Sequence, residues 1–222
     1  MTRYLFVVAH ADDEILGAGA TISRLAKDKE NEIGVLVMST QSHTRHDDLK
    51  KKLYKTHKLL GIKITYGGNL ETEKIGDEPH QNTIKVIEDC IIDFQPDVVI
   101  THHWGDLHTD HKIVSSICQE AVRLPQRQTN ANVKPIKKFA FMEIVSSSDW
   151  NFIHKFQPNC FSEVFEEDIA NKIEALKIYD KVIRKMPHTR SEENIRSLCV
   201  NRGSQAGFNY AEAFEVVFEQ GV

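Results

Sequence analysis

With 222 residues, 41% of them hydrophobic, the chain has the size of one domain and enough apolar material to bury a core. Its 28 basic and 32 acidic residues leave a formal charge of −4, which excludes the basic excess of a nucleic-acid binder, and the lysine clusters at 50–52 and 134–138 read as solvated faces. Four scattered cysteines, Cys90, Cys118, Cys160 and Cys199, form no C-x-x-C pair and imply neither a cysteine zinc site nor a disulfide framework.

Arg3–Ala9 (RYLFVVA) has the continuous apolar run of a buried strand. Glu14–Lys27 follows as a helix with Ile15, Ile22 and Leu25 turned inward. Ile33–Ser39 is a second strand, and Asp47–Leu60 a second amphipathic helix stopped by Gly61. Ile62–Tyr66 is a third, weaker strand. Gln81–Phe94 is a helix ended by Pro96, ahead of the strand Asp97–Thr101. A helix from His111 to near Leu124, a polar surface loop over Thr129–Lys138 and a strand over Lys138–Ile144 follow, and a helical and strand extension completes the chain.

Alternating strands and helices imply βαβ units and a mostly parallel sheet covered on both faces. The expectation is an α/β fold, a Rossmann-like three-layer α/β/α arrangement in a single domain over 1–222. Ligands in such sheets bind beyond the carboxyl ends of the strands, where strand order reverses. The loops after Ala9, Ser39, Tyr66 and Thr101 therefore matter most. No apolar run is long enough to span a membrane, and Leu5–Ala9 is too short for a signal peptide. A soluble cytoplasmic protein is expected.

Two polar clusters fall at strand ends: His10-Ala11-Asp12-Asp13-Glu14 after the first strand and Asp106-Leu107-His108-Thr109-Asp110-His111 after the fourth. Asp12, Asp13 and Asp110 have a plain alternative use as helix caps. Helix caps need no histidines, however, and in a doubly wound sheet both clusters face one crevice. Two histidines and a carboxylate suit zinc with one position open to water, and such a set also accepts ferrous iron. Gly17-Ala18-Gly19 lacks the third glycine of a dinucleotide fingerprint. His102 and His103 lie near this edge and are read as ordinary polar residues.

The motifs A-H-A-D-D-E (Ala9–Glu14), Leu16-Gly17-Ala18-Gly19-Ala20-Thr21 and H-T-D-H (His108–His111) resemble those of the PIG-L (LmbE-like) N-acetylglucosaminyl deacetylases. Pro158–Phe161, Ala175–Tyr179 and Arg202-Gly203 to Tyr210-Ala211-Glu212-Ala213-Phe214 extend the resemblance over nearly the whole chain. It implies a zinc hydrolase that removes acetyl from an N-acetylated amino sugar carried as a small-molecule conjugate. It implies His10, Asp13 and His111 as zinc ligands and Asp12 as general base. His108 matches the residue facing the oxyanion or leaving amine, with Asp110 orienting it. A homo-oligomer is among the forms the resemblance implies. Ala11 replaces the usual proline, and Gly67-Gly68-Asn69 stands where many members carry Asp-Gly. Arg45 is the expected contact for a negatively charged aglycone, and Tyr210 and Glu212 are expected to line or support the site. The competing expectations are an amidase for a different amide of an amino-sugar thiol conjugate, a non-catalytic sugar-binding protein, and a nucleotide-binding oxidoreductase.

Overall fold

The computed structural model describes residues 1–41, 46–127 and 132–221. In chain order the elements are β1 (Thr2–Val8), α1 (Asp13–Ala26), β2 (Asn31–Gln41), α2 (His46–Leu60), β3 (Ile64–Glu71), α3 (His80–Phe94) and β4 (Val98–His102). These are followed by α4 (Thr109–Ala121), α5 (Leu124–Arg127), β5 (Lys138–Met142), β6 (Cys160–Glu163), α6 (Glu166–Ile178), α7 (Glu192–Ala206) and β7 (Ala211–Glu219). Part of the expected loop over 129–138 lies outside the described residues.

The strands form one seven-stranded sheet in the order β3-β2-β1-β4-β5-β7-β6. β1 to β5 pair in parallel, and β7 runs antiparallel to both β5 and β6. The order reverses between β1 and β4, which are direct neighbours. That is the switch point where a ligand crevice opens in such sheets.

Residues of β1 divide between two cores: Phe6 and Val8 pack with one, Leu5 and Val7 with the other. All four are fully buried, which is why the strand reads as a continuous apolar run. The first core takes Ile15 from α1, Leu53 from α2, Ile169 from α6 and Ile195 from α7. The second takes Ile87 from α3 and Val114 from α4. Helices thus cover both faces, giving the three layers expected.

β3 is longer than its composition suggests. Gly-Gly-Asn looks like a turn, yet the strand continues through it to Glu71, with its register against β2 shifting after Val37. A side chain at Gly68 would meet the Met38 carbonyl oxygen at 2.5 Å, so the close approach of β2 demands glycine there. Gly61 has φ +77° and closes α2 as expected.

α1 carries a break at Ala18 (φ −143°, ψ 16°). Two groups from the tail satisfy the backbone freed there. The Glu212 carboxylate of β7 accepts the Ala20 and Thr21 N–H groups at 3.2 and 2.7 Å. The Lys172 ammonium of α6 donates to the Leu16 carbonyl at 2.8 Å and to Glu212 at 2.6 Å.

The lysine clusters are indeed surface faces. Lys52 pairs with Asp48 and Asp180, and Lys134 and Lys137 pair with Asp97. All four cysteines are free. Among the described residues no helix is long and apolar enough to cross a membrane.

Candidate metal and active site

The loop leaving β1 and the loop leaving β4 emerge side by side because their strands pair. Between them lies a cleft of about 330 Å³, lined by His10, Asp12 and Asp13 from the first loop, His108 and His111 from the second, and Arg190. A larger open hollow of about 880 Å³, by Ile183, Met186, Glu192 and Arg196, holds no comparable histidine and carboxylate cluster. Chemistry, not size, singles out the cleft.

The centre of the cluster is the Asp13 carboxylate. Its Oδ2 accepts the His10 backbone N–H at 2.9 Å and lies 3.3 Å from His10 Nδ1 and 3.2 Å from His111 Nε2. The second nitrogen of each imidazole faces another carboxylate. His10 Nε2 is 2.9 Å from Asp110 Oδ2, and His111 Nδ1 is 3.2 Å from Asp106 Oδ1. The latter is an ionic approach and not an aligned hydrogen bond, since Nδ1 has no hydrogen-bond partner. Each histidine therefore has one nitrogen toward Asp13 and one toward an outer carboxylate, the arrangement that orients metal-binding imidazoles.

Burial opposes a charged imidazole at His10, but Asp110 and Asp13 outweigh it and push the group up to about 10. His111 is likewise raised, to about 9, by Asp13 and Asp106 against burial. Burial alone would raise Asp13, but His111 and His10 hold it well below the usual carboxylate range. Surroundings that favour positive charge at two imidazoles beside a fixed anion suit a bound cation, so the residues fit a metal.

Two overlapping sets of three have donor atoms close enough for one ion: His10, His108 and His111, and Asp13, His102 and His111. His102 belongs to the second although its sequence position suggested an ordinary polar residue. Its ring stacks on His111 with centroids 4.0 Å apart. Its Nε2, however, accepts the Ala9 N–H at 2.8 Å, so that lone pair is engaged, and burial lowers the group to about 3. His103 is buried edge-on against Phe141 and Phe156, and accepts the Gly105 N–H through Nδ1.

Asp12 occupies the position before α1, but its side chain makes no capping hydrogen bond. It faces Arg190, whose Nη1 lies 3.9 Å from Asp12 Oδ2. Burial first, and then the Asp13 charge, raise the Asp12 carboxyl to about 8, with Arg190 pulling the other way. Adjacent aspartates are thus driven apart, one kept anionic and one poised near neutrality, which is how one site obtains carboxylates with separate roles.

His108 is the N-cap of α4 and accepts the Asp110 N–H at Nδ1, 3.2 Å away. Burial and the charges on His111 and His10 hold His108 below its usual value. The neutral ring then carries its proton on Nε2, leaving a donor. The sequence leads to the expectation that the Asp110 carboxylate orients His108; instead that group bonds His10 and accepts the Glu73 N–H at 2.9 Å. The bond to His108 comes from the Asp110 backbone.

Several participants are not evident in the motifs. Asp106 accepts the Ser147 and Ser148 hydroxyls at 2.8 and 2.6 Å and the His108 N–H at 2.8 Å while facing His111. Burial favours its neutral form, but His111 and these donors hold it at about 2. Arg190 comes from the segment between α6 and α7, and its Nε donates to Ser146 Oγ at 2.6 Å. Arg45 lies outside the described residues. Tyr210 and Glu212 do not line the cleft; Glu212 serves the break in α1.

The fold is similar to that of several solved structures. A conserved protein from Thermus thermophilus matches with TM-score 0.79 and 21% identity, over 100% of this chain and 97% of that one. The N,N'-diacetylchitobiose deacetylase from Pyrococcus horikoshii, complexed with its inhibitor, matches with TM-score 0.75 and 20% identity, over 97% and 84% of the two chains. The 4-carboxy-2-hydroxymuconate hydratase from Pseudomonas putida matches with TM-score 0.77 and 17% identity, over 100% and 98%. A deacetylase and a hydratase share this fold, so the fold alone does not select a reaction. The model of the PIG-L family, GlcNAc-PI de-N-acetylase, matches residues 5–122, more than half of the chain and the part that carries both polar clusters. The chain belongs to the PIG-L family.

Proposed function

We propose that the protein is a zinc-dependent N-deacetylase that hydrolyses the acetamide of an N-acetylglucosamine-type conjugate, releasing acetate and a free amine. The observation that carries this reading is the convergence of His10 and His111 on the Asp13 carboxylate, with Asp12 beside them in one cleft. Membership of the PIG-L family supports an N-acetyl amide as the bond cleaved.

His10, Asp13 and His111 would hold the ion, and a donor set of two imidazoles and a carboxylate suits zinc. When bound, zinc supplies a Lewis acid and lowers the pKa of water toward neutrality. Asp12 takes the proton of the attacking water, a task suited to a carboxyl poised near the working pH, and later returns it to the leaving nitrogen. As the amide carbon becomes tetrahedral its oxygen gains charge, and the His108 Nε2–H is the donor that meets it. Such a donor is worth roughly 2.7–4 kcal/mol in acyl-transfer sites. Arg190, anchored on Ser146, turns its remaining N–H groups toward the cleft and contacts the hydroxyls or the attached anionic group of the conjugate, the part expected of Arg45.

The test is acetate and amine release by the zinc-loaded protein over N-acetylglucosamine in free, nucleotide-linked, lipid-linked and small-acid-linked forms, with non-acetyl amides alongside. Equimolar acetate and amine from at least one form is expected. Amine from a non-acetyl amide alone would make the protein a different amidase. Sugar binding with neither product would make it a binding protein and overturn the proposal.

A further inference from the structure

Asp12 has φ 132° and ψ −20°, a backbone conformation that residues with a side chain adopt only under strain. It is also the turn from β1 into α1, and it leaves both Asp12 and Asp13 lining the same cleft. A strained residue persists only where its surroundings over-determine it. On the carboxyl side, the Asp12 carbonyl accepts the Ile15 and Leu16 N–H groups at 3.1 and 2.8 Å, which are ordinary first-turn bonds. The unusual restraint is on the other side, at the Asp12 N–H.

That N–H donates to Glu14 Oε2 at 3.2 Å. The second oxygen of the same carboxylate, Glu14 Oε1, is 3.1 Å from His57 Nε2 on α2, and His57 Nδ1 is 2.7 Å from Thr65 Oγ1 on β3. With a carboxylate at one end, Nε2–H donates to Glu14, and in the neutral ring Nδ1 accepts from the Thr65 hydroxyl. Glu14 is wholly buried and His57 nearly so. Neither lines the cleft.

We infer that Glu14 and His57 are positioning residues that fix the strained backbone of Asp12, with Thr65 orienting the His57 ring, and so aim the proposed base into the cleft. The inference rests on the role given to Asp12 under the proposed function, but its structural half stands apart from that role. Burying a carboxylate is costly unless it is hydrogen-bonded, and here it bonds outward to His57 of α2, which in turn reaches Thr65 of β3, and inward to the Asp12 backbone amide. Removing His57 frees Glu14 to reorient and releases the Asp12 N–H. Asp12 then relaxes toward negative φ, and its carboxylate leaves its place beside Asp13.

The experiment compares crystal structures, zinc content, kcat and KM of the full chain with those of His57→Ala and His57→Gln. In His57→Ala, Asp12 is expected to move to negative φ, with kcat about 10–100-fold lower, KM within about twofold and zinc stoichiometry unchanged. His57→Gln keeps a donor for Glu14 and an acceptor for Thr65, and is expected to recover the wild-type φ and most of kcat. Should His57→Ala fail to fold, Thr65→Val removes only the outer hydroxyl; it should lower kcat at constant KM and weaken hydrogen-exchange protection of the Asp12 amide. An unchanged Asp12 φ in His57→Ala, or an unchanged Asp12 amide in Thr65→Val, overturns the positioning claim. So does a parallel loss of kcat, zinc and thermal stability that glutamine does not restore. Absence of acetate release by the wild type counts against the proposed function instead, and the Asp12 φ comparison then decides the positioning claim alone.

Discussion

Asp97, at the start of β4, shows how one side chain ties the ends of three strands together. Its carboxylate accepts the Arg3 N–H at 2.9 Å and the Lys134 ammonium at 3.0 Å, with Lys137 3.2 Å away. Burial favours the protonated form, but the Arg3 amide and the two lysines outweigh it and hold the group below the ordinary value of 3.8. A carboxylate with a depressed folded-state pKa contributes stability that is present above its unfolded-state pKa and is lost as pH falls through the folded one. Asp97→Asn should therefore lower stability at pH 7 while reducing the loss of stability between about pH 5 and pH 3. Urea midpoints at pH 7 and at about pH 3 check this, and an identical acid loss in wild type and variant would refute it. At this scale the sequence carries the two polar clusters clearly, because three histidines interleaved with aspartates at two strand ends exceed what capping two helices requires, even with His108 itself capping α4. Arg190 is not legible, since nothing around it forms a motif and only the fold brings it to Asp12. Asp106 lies inside the second cluster, but its partners Ser147 and Ser148 come from a different loop.

The break in α1 belongs to the scale of elements. Leu16-Gly17-Ala18-Gly19-Ala20-Thr21 reads as continuous helix, and the bonds that permit the break come from α6 and β7, far along the chain. Lys172 and Glu212 are both almost completely buried, so each is the other's counter-charge as well as a partner for the opened backbone. Removing one member of a buried pair leaves an uncompensated charge, at a cost of about 3–5 kcal/mol. Glu212→Ala should therefore destabilise the protein by that order in urea denaturation, and a loss under about 1 kcal/mol would show the pair to be dispensable. β3 makes the same point about legibility. Its Gly-Gly-Asn segment has the composition of a turn, yet it pairs with β2, whose Met38 comes too close for any side chain at Gly68. Local composition locates elements whose neighbours are other elements of the same unit; it loses those whose ends are decided by distant partners.

For the whole molecule, the alternation of strands and helices through β5 is enough to give the parallel sheet and its switch point, and with it the meeting of the loops after β1 and β4. The insertion of antiparallel β7 between β5 and β6 is decided by pairing across the full length of the tail, which no local pattern records. The consequence for function is one cleft in which Asp13 gathers two imidazoles and Asp12 stands apart, facing Arg190. The most direct test of that division of labour measures zinc content and acetate release in the same preparations of wild type, Asp12→Asn and His111→Ala. Asp12→Asn should hold zinc at the wild-type stoichiometry while release falls about 10²–10⁴-fold, and His111→Ala should lose both. Sustained turnover in Asp12→Asn, or full zinc binding in His111→Ala, would contradict the account.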